Sequence, residues 1–212
     1  MTEPENLNKK TDLLARWQRM ARRIRVPLGF VAAALYLWQL YRHRPQPLFI
    51  ALSLPLVLAG LWLRGYAAGY VKKNRELTQT GPYAHTRNPL YLGSMLIAAG
   101  FSLAIVSWAF ALTLILGFIA IYVPVIASEE KFLRATFPDF DAYCRRVPRI
   151  LPRITPAPAP SAEITPPGQF SFALYRKHRE YNAGIGAVLL YLSLLLLRPA
   201  LVALLHIENF LK

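Results

Sequence analysis

A single cysteine, Cys144, stands in 212 residues, which excludes an intrachain disulfide and a cysteine-rich metal site. Acidic residues are scarce too: 11 Asp and Glu face 25 Lys and Arg, for a net charge of +14. Strand-like alternation of apolar and polar residues is missing, and so is any internal repeat, so an all-α chain is expected. No cluster of metal ligands is visible, and no metal is expected. The first 25 residues are polar and basic, with no small-residue cleavage site after the first apolar run, so no cleavable signal peptide is expected. No basic run is interleaved with a soluble-fold pattern, which argues against nucleic acid as a partner.

Apolar residues are abundant. They make up 55% of the chain, and the mean hydropathy is +0.30 despite the charge, so apolar and basic residues must be segregated along the sequence. Five apolar segments stand out: Val26–Tyr41, Pro47–Leu63, Leu90–Ser107, Trp108–Ala127 and Gly184–Ile207. At roughly 1.5 Å per residue, spans of about 17–25 residues cross a bilayer core. The expectation is a polytopic, all-α integral membrane protein with about five transmembrane helices, the third and fourth forming a central hairpin. With a cytosolic N-terminus, all Lys and Arg except Arg42, Arg44, Arg198 and Lys212 fall in inner segments, as the positive-inside rule requires. Residues 13–24 carry apolar side chains at helical spacing between arginines, the pattern of an amphipathic helix on an anionic membrane face. The chain thus divides into a basic segment (1–25), a membrane core (26–151), a Pro-rich linker (152–168), and a basic segment with a last membrane helix (169–212). Oligomeric state and source are not legible.

Two polar blocks flank the hairpin. The first, Gly81 to Gly93, reads GPYAHTRNPLYLG; the second, Glu129 to Arg149, reads EEKFLRATFPDFDAYCRRVPR. An even number of crossings between them puts both on one membrane face. Gly81 permits unusual backbone angles, and Asn88-Pro89 is a helix start, with Asn as N-cap and Pro at the first position. A helix N-terminus there, reinforced by Arg87, attracts a carboxylate or phosphate. Two adjacent carboxylates at a membrane boundary, Glu129 and Glu130, require solvation or partners. Lys131 and Arg134 are candidates on the same helix, and a cationic or hydroxyl-bearing ligand is the alternative. Phe132, Leu133, Phe137, Phe140, Tyr143 and Val147 form an apolar face expected to fold back over the hairpin.

Taken together the blocks resemble the isoprenylcysteine carboxyl methyltransferase family, a relative of the membrane phospholipid N-methyltransferases. The resemblance covers about residues 80–153. It implies an integral membrane enzyme using S-adenosylmethionine, with the cofactor held on the cytosolic side of an inner or endoplasmic reticulum membrane. The acceptor it implies is lipophilic, foremost the carboxylate of an isoprenylcysteine-like substrate. Its cofactor-binding positions carry over to Gly81, Pro82, Tyr83, Arg87, Pro89, Tyr91 and Gly93, with Glu129 and Glu130; Arg87 and Glu130 take the catalytic roles. The family commonly has His where this chain has Asn88, which offers a donor and an acceptor but does not titrate near neutral pH. His85 is the candidate substitute. A carboxylate acceptor needs no general base, whereas an ammonium headgroup does, and Glu130 or His85 would supply it. Phospholipid amines and small thiols or isoprenoids remain open as acceptors. Rival readings are a nicotinamide-dependent membrane reductase and a non-catalytic membrane protein of related fold. Arg179, Glu180 and Tyr181, just before the last apolar segment, are candidates for a gate over the cleft.

Overall fold

The computed structural model describes residues 34–42, 45–72, 76–158 and 168–210, with the backbone alone for 198–210. The amphipathic segment 13–24, the start of the first apolar segment, most of the Pro-rich linker and the Arg198 side chain lie outside the described residues. Helix α1 covers residues 34–42. It is followed by α2 (Pro47–Tyr70), a 3-10 turn (Gly81–Ala84), α3 (Pro89–Ile105), α4 (Trp108–Thr136), α5 (Phe140–Arg146), α6 (Phe172–Lys177) and α7 (Tyr181–Phe210). Among the described residues the fold is all-α.

Local chemistry sets these boundaries. Pro47 and Pro89 open α2 and α3 at the first helical position, where a missing N–H costs nothing. Between α3 and α4 the chain reverses at Val106, whose φ of 53° is left-handed, and Ser107 then caps α4 by accepting from Phe110 N at 3.3 Å. Asn88 takes the N-cap place of α3 without capping it. Its Nδ2 donates instead to the Arg149 carbonyl at 2.8 Å.

Helices α2 and α3 approach closely through glycine. A Cβ on Gly60 would lie 2.6 Å from the Gly93 carbonyl oxygen, and one on Gly100 would lie 2.5 Å from Val57 Cγ2. Around this pair one apolar cluster gathers Tyr36, Leu40, Val57, Phe101, Ala104, Ile105, Phe110, Ala187 and Leu194, so α1, α2, α3, α4 and α7 share a core. A second cluster of Phe140, Tyr143, Val147 and Ala157 packs with Leu77, Leu133 and Phe137. That is the apolar face expected after α4, except that Phe132 is half exposed.

The expected count of spans needs correction. Among the described residues, two helices, α2 and α4, are long and apolar enough to cross a membrane, not about five. Helix α3 stops at Ile105 after 17 residues, roughly 25 Å at 1.5 Å per residue against about 30 Å of bilayer core. Apolar runs read from sequence included Val106 and Ser107, where the helix has already ended. The side chains described in α7 cover another short apolar stretch, Tyr181–Leu197. A crossing hairpin therefore does not explain why the two polar blocks meet.

Both long helices nonetheless look outward. Only 17% of the apolar window in each is buried, whereas the core helix of a soluble protein buries most of its apolar surface. Leu112, Ile115, Leu116 and Ile119 of α4, with Leu48, Leu52, Leu58 and Trp62 of α2, are exposed. Apolar surface on that scale supports membrane association.

Candidate active site

The two polar blocks meet by direct backbone pairing. Residues 84–88 run beside 148–157: Arg87 N donates to Pro148 O, Arg153 N to His85 O and Ala157 N to Ala84 O, each at 2.9 Å. Thr86 Oγ1 donates to Ile150 O at 3.0 Å, and Tyr143 Oη to Tyr83 O at 2.8 Å. Gly81 starts this segment at φ 59°, a left-handed conformation that favours glycine. A Cβ there would also lie 2.5 Å from the Tyr70 ring.

Above this floor lies a cavity of about 400 Å³. Arg87, Asn88, Pro89, Tyr91, Tyr83, Glu129 and Glu130 line it together with Glu180. Gly81, Pro82, His85, Gly93, Arg179 and Tyr181 do not. Gly93 is engaged by α2, where a Cβ would meet Arg64 Cγ at 2.6 Å. His85 turns its Nδ1 to the Arg153 carbonyl at 2.8 Å and does not reach the cavity wall. Arg179 takes a left-handed turn at φ 54°, and Tyr181 is exposed.

Charge is arranged in a triad and a pair. Glu130, buried, receives Arg87 Nη1 at 3.1 Å and both Nε and Nη2 of Arg149. Lys131 and Arg134 are thus not its partners; Arg134 pairs with Asp141 at 2.8 Å. Arg87 Nη1 also donates to Cys144 Sγ at 2.5 Å, giving that cysteine a structural contact absent from the sequence reading. At the other end Glu180 takes a two-pronged contact from Arg64, with Nη2 at 2.8 Å and Nε at 3.0 Å. Glu129 is solvated and accepts from Tyr91 Oη at 2.9 Å. Among the described residues, it pairs with no cation. Among the described residues, the buried Thr78 Oγ1 and Arg87 Nε, like Gln39 Oε1 elsewhere, have no hydrogen-bond partner, and Thr78 and Arg87 line the cavity.

Sequence reasoning missed Arg64, Thr78, Tyr122, Tyr143 and Arg149. Arg64 and Arg149 were absorbed into the positive-inside pattern. The signal for Arg64 was an arginine inside the last turns of an otherwise apolar helix, which needs a partner.

Burial raises the hydroxyl pKa of Tyr83, with the neighbouring Tyr143, Glu129 and Glu180 adding to the effect. Burial also raises that of Tyr143, against the opposing pull of Arg87. For a phenol raised above its unfolded value of about 10, the stabilisation is complete below that pH. It is lost as pH climbs from there through the folded value. Ultraviolet titration of the folded protein should therefore show at least two tyrosines still protonated well above pH 10, and replacing Tyr83 and Tyr143 by phenylalanine should shrink that late component by two residues. A single ionisation step near 10 with the fold intact would contradict the burial.

Residues 47–139 match the phospholipid methyltransferase family, and a domain of that kind is present there. The match ends before α5, so Tyr143, Arg149 and Glu180 lie beyond it. It names phospholipid methyltransferases, and the finer isoprenylcysteine grouping is not what it supports. The chain is 35% identical over 141 residues to the cobalt-zinc-cadmium resistance protein CzcN of Cupriavidus metallidurans, covering 62% of each chain. It is 36% identical over 110 residues to the nickel-cobalt-cadmium resistance protein NccN of Alcaligenes xylosoxydans xylosoxydans, covering 52% of this chain and 51% of that one. The chain thus spans less than two thirds of the length of the curated relatives it matches. No solved structure matches. Among the described residues, no group of three or more His, Cys, Asp or Glu is placed to hold a metal ion.

Proposed function

We propose that the protein is a membrane-associated, S-adenosylmethionine-dependent methyltransferase whose acceptor is the amine of a lipid headgroup. The observation that carries this reading is the cavity lining. In a chain of net charge +14, the lining holds four carboxylates (Glu76, Glu129, Glu130, Glu180) and two guanidiniums (Arg64, Arg87). Lys72 and Arg149 also engage Glu76 and Glu130, which leaves Glu129 as the one carboxylate of the lining with no cation beside it among the described residues. Aromatic faces from Tyr83, Tyr91, Tyr122, Phe132, Phe140 and Tyr143 surround these groups. Aromatic faces with one solvated carboxylate suit a cation, which supports an amine acceptor over the carboxylate that the motif resemblance placed first. The described residues fit the cofactor: Thr78 Oγ1 and Arg87 Nε are buried donors awaiting an acceptor, and the volume falls within the range of small-molecule sites.

Bound there, S-adenosylmethionine supplies a methyl group activated by its sulfonium. The chain's own contribution is alignment, exclusion of water and one proton transfer. Thr78 and Arg87 would hold anionic or hydroxyl groups of the ligand, and the tyrosine faces would shield positive charge. An ammonium must lose a proton before it becomes a nucleophile. Glu130 is engaged by two guanidiniums, and His85 is not part of the cavity lining. That leaves Glu129, positioned by Tyr91 Oη, as the carboxylate to receive the proton. The basic bias of the flanking segments supports a cytosolic position for this face of the protein.

The test uses the purified full chain in nanodiscs containing phosphatidylethanolamine or a prenylcysteine. Thermal stabilisation by S-adenosylmethionine and S-adenosylhomocysteine, but not by reduced nicotinamide cofactor, is expected. Labelled methyl groups should enter the amine lipid in alkali-stable form. Label released by mild alkali as volatile methanol would mark a methyl ester and overturn the amine assignment. Stabilisation by the nicotinamide alone would overturn the methyltransferase reading.

A further inference from the structure

We propose that the Arg64–Glu180 pair is a headgroup site for a zwitterionic phospholipid, Arg64 taking the phosphate and Glu180 the ammonium. This deepens the methyltransferase reading and rests on it for the reason a lipid enters the cavity.

Position is the first argument. Arg64 projects from α2, one of the two helices apolar enough to cross a membrane, where a charge is kept only for a partner or a function. Its partner comes from 116 residues away, and both line the cavity. The Arg64 guanidinium also reaches the Leu90 carbonyl of α3, so the pair lies against the apolar helices α2 and α3. A lipid with its tails along the exposed apolar side chains near the pair, Trp62 of α2 and Ile185, Val188 and Leu189 of α7, would present its headgroup to Arg64 and Glu180.

Geometry is the second. Arg64 Nη1 is held from behind by Ser94 Oγ at 2.5 Å and the Leu90 carbonyl at 3.4 Å, so the guanidinium keeps its aim when Glu180 moves. Its Nε and Nη2 present the two-pronged edge that matches a phosphate as well as a carboxylate. Glu180 follows Arg179, the left-handed residue between α6 and α7. The segment carrying it is fastened to α2 independently of the ion pair. Ser171 N donates to Gly69 O at 2.9 Å, the Phe170 ring lies where a Gly69 Cβ would be, and His178 Nδ1 contacts Ala68 O at 3.0 Å.

Charge balance is the third. The pair is largely out of water, with 24% of the Arg64 side chain and 12% of Glu180 exposed. A ligand with one charge would strand one member, which is costly at such burial. A ligand carrying both charges exchanges partners and leaves every charge paired. The resident pair therefore selects zwitterions.

The experiment measures binding without a methyl donor, on the full chain in uncharged detergent. Its probes are short-chain phosphatidylethanolamine, short-chain phosphatidic acid and an alkylamine. Wild type should bind the zwitterion at least about tenfold more tightly than either singly charged probe, the scale expected for one charged hydrogen-bonded partner. Arg64→Gln and Glu180→Gln should each erase that preference while S-adenosylhomocysteine affinity stays within about twofold. The exchanged double variant, Arg64→Glu with Glu180→Arg, restores an ion pair and controls for folding. It should fold and still lose the preference, because Ser94 Oγ and the Leu90 carbonyl orient a guanidinium only on α2. Equal wild-type affinity for the three probes, or an unchanged preference in a folded variant, overturns the proposal. Failure of the methyltransferase reading looks different: no S-adenosylhomocysteine binding, with the zwitterion preference intact.

Discussion

Glu130→Gln is expected to lower the unfolding free energy of the purified protein by about 3 kcal/mol, the range found when one member of a buried ion pair is removed. Glu130 is buried, and it separates two guanidiniums with side-chain exposures of 14% for Arg87 and 49% for Arg149. Glutamine keeps the size of the side chain and one acceptor oxygen. It leaves two positive groups facing each other across a neutral amide, with Arg87 retaining only its contact to Cys144 Sγ from that end. The companion variant Arg149→Gln should cost less than about 1 kcal/mol, since an exposed partner is screened by solvent. Thermal or denaturant unfolding in detergent measures both. Equal losses would show that Glu130 behaves as a surface group. The same Glu130→Gln change should also weaken binding of S-adenosylhomocysteine, because Arg87 loses the contact that aims it across the cavity.

Gly60→Ala is expected to cost about 2 kcal/mol, within the range for overpacked interiors. The new Cβ would lie 2.6 Å from the Gly93 carbonyl oxygen and 3.0 Å from the Ile97 amide nitrogen. Both are backbone atoms of α3, so no side chain can swing aside and the helices must separate. Gly117→Ala in α4 is the control, with nothing within 4 Å of the added carbon. In that helix alanine should be neutral or stabilising, by up to about 1 kcal/mol. Because Leu90 and Ser94 of α3 orient Arg64, the Gly60 variant should also lose affinity for the lipid probe. Similar melting temperatures for the two variants would show that the α2–α3 contact is loose.

Chemistry written into neighbouring residues was legible before the fold was known. Pro89 and the turn at Gly81 could be placed from residue type, and Glu129 with Glu130 was marked as a pair in need of partners. The partners themselves were not legible. Arg149 lies 19 residues from Glu130 and Glu180 lies 116 from Arg64, distances at which charge patterning along a helix says nothing. Asn88 misled because an N-cap is a local prediction, while its amide is drawn to a carbonyl that only the fold brings near. Span counting failed for a related reason. Hydropathy records where apolar residues lie but not where α3 ends, and Val106 ends it by a backbone angle.

Synthesis imposes an order on this architecture. The glycine contacts between α2 and α3 join helices separated by one short segment, and they can form once α3 has been made. The backbone pairing of 84–88 with 148–157 waits for the second block, and Arg64 waits longer still, until Glu180 has been made. Contacts that distant in sequence form late and slowly. A nascent chain therefore holds its packed helix pair, with an unpaired arginine on it, well before it holds a cavity able to select what enters.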